Sequence, residues 1–148
     1  QSDFMVTNGD NLFESEIFSS FYNECADGIF ISVCKKDEFD DDDMKVSLTN
    51  EELKEVNKDI SKSLASAESP GLALIKGGKA RELFYRSVNT LVRLDDSRND
   101  YWLVLFNYIV SQGSHVKAWW VPDGMSWQEV DFHLDVDKVI ELLRISKK

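Results

Sequence analysis

Few features in this sequence would announce a function. Of its 148 residues only two are cysteine, Cys25 and Cys34. Eight residues separate them and no histidine lies near, a spacing that fits neither a zinc site nor a disulfide framework. Two buried thiols in a reducing compartment are expected instead. Histidine is as scarce. His115 falls in an expected turn, and His133 alternates with an apolar face and so points to solvent; neither has a Ser or Cys motif beside it, which removes support for nucleophile–histidine catalysis. No apolar run approaches the ~20 residues of a membrane span. The N-terminus lacks a basic segment leading into a hydrophobic one, so no signal peptide is read, although Gln1 in place of an initiator Met leaves room for a removed leader. Gly77-Gly78-Lys79 lacks the spacing of a phosphate loop and reads as a turn. No cofactor is implied, and a cytoplasmic protein is expected.

What is present is a chain of single-domain size, with 43% hydrophobic and 30% charged residues, enough for a core without staples. The net charge is −10, unevenly spread. Residues 1–70 carry 17 acids against 6 bases, whereas residues 71–148 carry 10 against 11, with all five arginines and all four tryptophans. An acidic face beside an aromatic, neutral body repels nucleic acid and anionic membranes and speeds encounter with a basic partner.

Patterning predicts an α+β fold. A central antiparallel β-meander is expected from Tyr101 to Leu134, with two helices from the N-terminal half and one C-terminal helix packed on it. Tyr101–Val110 is apolar or aromatic throughout save Asn107, and turns at Gln112-Gly113-Ser114 and Pro122-Asp123-Gly124 set off the runs Val116–Val121 and Trp127–Leu134. Phe13, Ile17, Phe21 and Cys25 predict a helix over about Leu12–Cys25. Thr49-Asn50-Glu51-Glu52 resembles a capping box, and Leu53, Val56, Ile60 and Leu64 then predict a helix over Asn50–Ala67. Ile29–Cys34 and Leu72–Ile75 read as strands. Phe4-Met5-Val6 suits a short strand within an otherwise loosely tethered 1–9 segment. Ala80–Leu94 suits either period, and its β-branched content tips it to strand. Asp135 caps a last amphipathic helix.

The polar stretch 36–47 contains Asp40, Asp41, Asp42 and Asp43, and like charges so close predict a solvated acidic loop. A calcium loop is excluded by spacing. Starting at Asp37 puts Phe39 at the third position, and starting at Asp40 puts Met44 and Lys45 at the fifth and sixth. No metal site is expected. The carboxylates could instead imitate nucleic-acid phosphates before a basic cleft. Asp123, Glu129 and Asp131 would be the acids of a metal-dependent nuclease, with no lysine in the usual place. Arg81, Arg86, Arg93, Arg98 and Tyr101 could make a stacking and phosphate-binding surface for single strands, provided that Arg86, Arg93 and Arg98 share a face. Trp119 and Trp120, adjacent in a strand, must point to opposite faces, so one of them is a candidate anchor for a partner.

In layout the chain resembles the immunity proteins that bacteria make against their own secreted toxins. The features that carry the likeness are the run Trp127–Leu134, the following helix Asp135–Leu143 and the acidic charge. That resemblance implies a non-catalytic, protein-binding inhibitor of a basic partner, plausibly a nucleic-acid-cleaving toxin domain. Asp40, Asp41, Asp42 and Asp43 would steer the encounter, and Trp119 or Trp120 would anchor it. The alternatives are an acidic secretion chaperone or adaptor, expected to dimerise, and a small metal-dependent nuclease.

Overall fold

A computed structural model describes residues 2–94, 101–130 and Ile140. In chain order its elements are β1 (Phe4–Thr7), β2 (Asn11–Phe13), α1 (Ser15–Glu24), β3 (Gly28–Val33), β4 (Lys45–Thr49), β5 (Glu52–Asn57), β6 (Ala67–Glu68), β7 (Leu72–Lys76), α2 (Gly78–Leu91), α3 (Val104–Ser111), β8 (Lys117–Trp120) and β9 (Trp127–Glu129). Seven strands form one mixed, mostly antiparallel sheet in the order β1-β7-β3-β8-β5-β4-β6, and β2 pairs with β9 beside it. β3 runs parallel to β8, and β7 runs antiparallel to both β1 and β3, so β1, β3 and β8 all point the same way.

Alternation along β3 and β7 explains the layering. Ile29, Ile31, Val33, Ala73 and Ile75 face one side, where Phe84 of α2 and Phe106 and Ile109 of α3 cover them. Phe30, Leu72 and Leu74 face the other, against Ile17 and Phe21 of α1. Strands buried on both faces read as unbroken apolar runs, as Ile29–Val33 and Leu72–Ile75 do. Each fully buried Leu, Ile or Phe contributes roughly 1.5–3 kcal/mol. No helix among the described residues is long and apolar enough to cross a membrane.

Three expected elements are of the other kind. The run Tyr101–Val110 forms α3 and its lead-in, not a strand. A short apolar stretch covered on most sides carries no usable period. Ala80–Leu94 is helical over most of its length as α2, because Ala80, Phe84 and Ser87 fall on one buried stripe at spacings of four and three. The expected helix Asn50–Ala67 is the second half of a hairpin. Asn50 and Glu51 both take positive φ, 51° and 65°, the mark of a type I′ turn joining β4 to β5. Pairing passes from Ser47↔Glu55 to Leu48↔Leu53, leaving Lys54 as an extra residue on β5. That bulge resets the alternation, so Leu53 and Val56 both turn to the core. A three-residue spacing made by a bulge had the look of a helical one.

Among the described residues the expected meander does not form: β8 sits between β3 and β5, while β9 pairs with β2. The expected elements Phe4–Val6, Leu12–Cys25, Ile29–Cys34 and Leu72–Ile75 correspond to β1, α1, β3 and β7, with α1 beginning three residues later than expected because β2 occupies Asn11–Phe13. Residues 131–134 and the expected C-terminal helix Asp135–Leu143, apart from Ile140, lie outside the described residues, as does His133.

Candidate functional site

In sheets with parallel strands covered by helices on both faces, ligands collect beyond the strands' carboxyl ends. Here the segments after β1, β3 and β8 leave the sheet at one edge, and β7 enters from that edge through Ser69-Pro70-Gly71. A cleft of about 140 Å³ opens there. One wall is the turn after β1, with Asn8 and Asn11; another is the acidic loop, with Asp42 and Asp43; Tyr101, Trp127 and Glu129 complete it.

The β1–β2 turn is held from three sides. Trp102 Nε1 donates to Asn8 Oδ1. Asn11 Nδ2 donates to the Pro70 carbonyl at 2.6 Å. The Val130 amide donates to the Asp10 carbonyl at 3.0 Å, continuing the register in which Asn11 faces Glu129. Asn11 Oδ1 is buried without a protein partner. Gly71 is required twice over. Its φ is +70°, and a Cβ there would stand 2.8 Å from Asn8 Nδ2 and 3.0 Å from Asn11 Nδ2. The turn therefore carries Asp10, exposed, on a backbone fixed by the Val130 bond, one residue before the Asn11 that faces Glu129.

Opposite lies a knot of paired charges. Lys36 Nζ is 2.7 Å from Asp43 and 3.3 Å from Glu68. Burial, and then the Asp43 charge, push the Glu68 carboxyl above its ordinary range. Burial acts the same way on Asp43, but hydrogen bonds from Lys36 and the Asp40 amide outweigh it and hold that carboxyl low. Lys58 donates to Asp42 at 2.5 Å and lies 4.8 Å from the centre of the Tyr101 ring, and the Asp42 bond raises its pKa. Lys45 is buried, its ammonium donating to the carbonyls of Lys58 (2.7 Å), Asp41 (3.1 Å) and Asp43 (3.3 Å).

The residues singled out from sequence are scattered relative to this cleft. Asp42 and Asp43 line it, and Asp41 is paired outside it with Lys62 at 3.0 Å. The Asp40 amide donates to Asp43 at 2.7 Å, so the acidic stretch is a tied loop. Trp119 is buried, stacked on Phe21 at 4.5 Å, with Nε1 donating to Glu24 at 2.8 Å. Trp120, half-buried on the opposite face, donates to Glu51. Of the three expected nuclease acids, Glu129 lines the cleft, Asp123 sits on an exposed turn 3.7 Å from Lys35, and Asp131 lies outside the described residues. Arg98 is likewise outside them. His115 is exposed, 3.1 Å from Glu52. Neither cysteine is in a disulfide; Cys25 is buried and Cys34 half-buried, and burial pushes both thiols up to about 11. Sequence reasoning missed Asn8, Asp10, Asn11 and Gly71. The available signal was the turn residues Asn8-Gly9-Asp10 two residues after the apolar run Phe4–Val6, which put a carboxylate just past the carboxyl end of a strand.

No family profile and no curated protein sequence matches this chain. Solved structures do. The inositol-1-phosphate CTP transferase from T. maritima superposes with a TM-score of 0.76 at 19% identity, over 100% of this chain and 57% of that one. A putative glucose-1-phosphate thymidylyltransferase from Bacillus anthracis gives 0.68 at 15% identity, over 97% and 55%. The CTP:phosphocholine cytidylyltransferase from Streptococcus pneumoniae gives 0.64 at 13%, over 94% and 57%. The chain thus spans a little over half the length of these solved chains. The expected kinship with immunity proteins is corrected by this likeness, and with it the expectation of a non-catalytic toxin inhibitor. The immunity reading leaned on acidic charge, on the run Trp127–Leu134, of which the described residues hold only the short β9, and on the helix Asp135–Leu143, which apart from Ile140 lies outside them. What the comparison establishes is the fold: that of enzymes named as nucleotidyltransferases.

Proposed function

We propose that this chain supplies part of an enzyme that transfers a nucleotidyl group from a nucleoside triphosphate to a phosphate monoester, with Asp10 and Glu129 at the reacting end of the cleft. The observation that carries the reading is the position of the rigidly held Asn8–Asn11 turn at the carboxyl end of β1, on a fold shared over the whole chain with transferases of this class. In such a reaction a phosphate oxygen of the acceptor attacks the α-phosphorus, the bond to the β-phosphate oxygen breaks, and pyrophosphate leaves. Little covalent chemistry falls to the protein, which must position two polyanions and offset their charge.

The cleft is acidic, so by itself it repels phosphates. Among the described residues no three His, Cys, Asp or Glu side chains gather to hold a metal. Magnesium needs fewer, being held by one or two carboxylates with substrate phosphates and water completing its shell; Glu129 on the cleft wall and Asp10, whose carbonyl is bonded to the next residue after Glu129, are the acids that would hold it. A bound magnesium ion would supply neutralisation of the phosphate charge. The chain's own contribution is orientation. Asn11 and Asn8 fix the turn, Gly71 gives it room, and Trp127, stacked on Phe13 with centroids 6.4 Å apart, forms an apolar floor.

The test is pyrophosphate release by the natural, full-length form of the protein. CTP and dTTP would each be offered with inositol 1-phosphate, glucose 1-phosphate or phosphocholine. One pair is expected to turn over, and Asp10→Asn is expected to lower kcat at least ~100-fold with little change in melting temperature, as for loss of a group that meets transition-state charge. Absence of turnover with every pair, or an unchanged rate in Asp10→Asn, overturns the reading.

A further inference from the structure

Lys45 is 2% exposed within the sheet, on β4 between β5 and β6, where it faces Asn57 on one side and Glu68 on the other. A lysine and a glutamate directly opposite on neighbouring strands ordinarily pair. Here Lys36 takes Glu68, and the Lys45 ammonium directs its N–H donors to the carbonyls of Lys58, Asp41 and Asp43. Those acceptors come from two separate stretches of chain, the acidic loop before β4 and the residue just past β5. Both stretches wall the cleft, where Asp42, Asp43 and Lys58 stand, and Lys58 is the one base lining it among the described residues. The other ties between the two stretches are weaker. Lys58 to Asp42 and Lys62 to Asp41 are ion pairs whose carboxylates are 84% and 97% exposed, so water screens them. Lys45 is the tie that water does not reach.

Its charge matters beside its hydrogen bonds. Around this part of the cleft stand Asp42, Asp43 and Glu68, paired with Lys36 and Lys58. Those two lysines alone would leave the group net negative. Lys45 brings it level, and a charge held inside the sheet is little screened by salt. A phosphate monoester, itself an anion, then meets a neutral wall and not a repelling one.

We propose that Lys45 is a positioning residue of the transfer reaction: its ammonium clamps the acidic loop to Lys58 at the separation that admits the phosphate monoester, and supplies the buried positive charge that keeps this wall from repelling it. The inference rests on the transferase reading above. A second hollow of about 260 Å³, with Asp41, Lys45, Lys58 and Lys62 in its lining, gives a small amine a way into the space that loss of the side chain would leave.

In the natural, full-length form of the protein, Lys45→Ala is expected to raise KM for the phosphate monoester at least ~10-fold while kcat changes less than ~3-fold, as for binding lost ahead of the chemistry. Propylammonium, which matches the atoms removed beyond Cβ, is expected to restore most of the loss. Propan-1-ol, of the same size but uncharged, is expected to restore none. Amide exchange gives a reading that needs no turnover. The Asp40 amide, bonded to Asp43, is expected to exchange at least ~5-fold faster in Lys45→Ala and to recover with propylammonium alone. Restoration by propan-1-ol as well would make Lys45 a filler of space and overturns the proposal. So does an unchanged KM, or a raised KM that neither additive lowers. Should Lys45→Ala fail to fold, Lys45→Met fills the space without the charge and is expected to show the same rise in KM; parent-like kinetics there overturn the proposal. The two readings fail separately. Without turnover in the parent the transferase reading falls, and Asp40 exchange still decides whether Lys45 is the clamp; turnover with an unmoved KM in Lys45→Ala removes only the role of Lys45.

Discussion

Glu68 and Asp43 share one lysine and are driven apart by it. Both are removed from water, but Asp43 also collects the Asp40 amide, so it keeps its charge while Glu68 meets a neighbour already negative. The consequences for stability have opposite signs. Glu68 ionises less readily when folded, so folding is disfavoured as pH climbs from the ordinary glutamate value of 4.5 through the raised one. Asp43 ionises more readily when folded, so its stabilisation is present above 3.8 and is lost as pH falls through the lowered value. Replacing Glu68 by Gln removes the first effect and leaves Lys36 and the Asp40 amide to hold Asp43 low. The stability of Glu68→Gln relative to the parent is therefore expected to rise between pH 4.5 and neutrality and then level off, as followed by urea unfolding at successive pH values. A difference independent of pH would mean that Glu68 titrates normally.

At the scale of elements, α3 shows what a sequence hides. Asn107, the one polar residue in an apolar run, is not an interruption. Its amide group receives a bond from the Val56 amide at 2.8 Å and donates to the Val56 carbonyl at 2.9 Å, standing in for a neighbouring strand. β5 needs this because its register with β8 is confined to Glu52↔Lys117, joined by the bond from Leu53 to Val116, so Val56, paired with Val46 of β4 on one side, has no strand on the other. Asn107→Leu keeps the volume and leaves both backbone groups unpaired, which is expected to cost about 1–3 kcal/mol, read from the denaturation midpoint. A loss under about 0.5 kcal/mol would mean that water replaces the amide.

The same helix explains which parts of the fold were legible. Strands with continuous apolar runs and turn residues at both ends, β3 and β7, declared themselves, as did α1 through the spacing of Ile17, Phe21 and Cys25. What misled was local pattern reversed by long-range pairing. The bulge at Lys54 imitates a helical period, and the Asn50-Glu51 turn imitates a capping box. Of the site, Asp42, Asp43 and Glu129 were legible as acids, but for other roles. Asn8 and Gly71 were not legible, because their meaning lies in a contact across more than sixty residues of chain.

For the whole molecule, the arrangement that matters is a two-stranded clasp beside a larger sheet. Among the described residues β2 and β9 pair only with each other, and that pair forms one side of the cleft. It is fastened by two backbone bonds, Glu14 to Ser126 at 3.1 Å and Val130 to Asp10 at 3.0 Å, and by Phe13 lying between Trp127 and Phe18. Chain between β1 and α1 thus meets chain after β8 through this small unit, so Glu129 is set opposite Asn11 by the clasp and not by the main sheet. A two-stranded ribbon is marginal alone, and its side-chain pairs contribute most of its stability. Phe13→Ala is therefore expected to loosen the clasp while the seven-stranded sheet stands. Trp127 should become accessible to acrylamide, cooperative unfolding should persist with a loss of about 1–2 kcal/mol for a half-buried ring, and KM for the phosphate monoester should rise more than kcat falls. If quenching is unchanged, the clasp is held by its backbone bonds alone. If kcat falls as far as it does in Asp10→Asn with KM unmoved, then Phe13 acts on the reacting groups themselves, and a clasp that merely shapes the cleft is the wrong description.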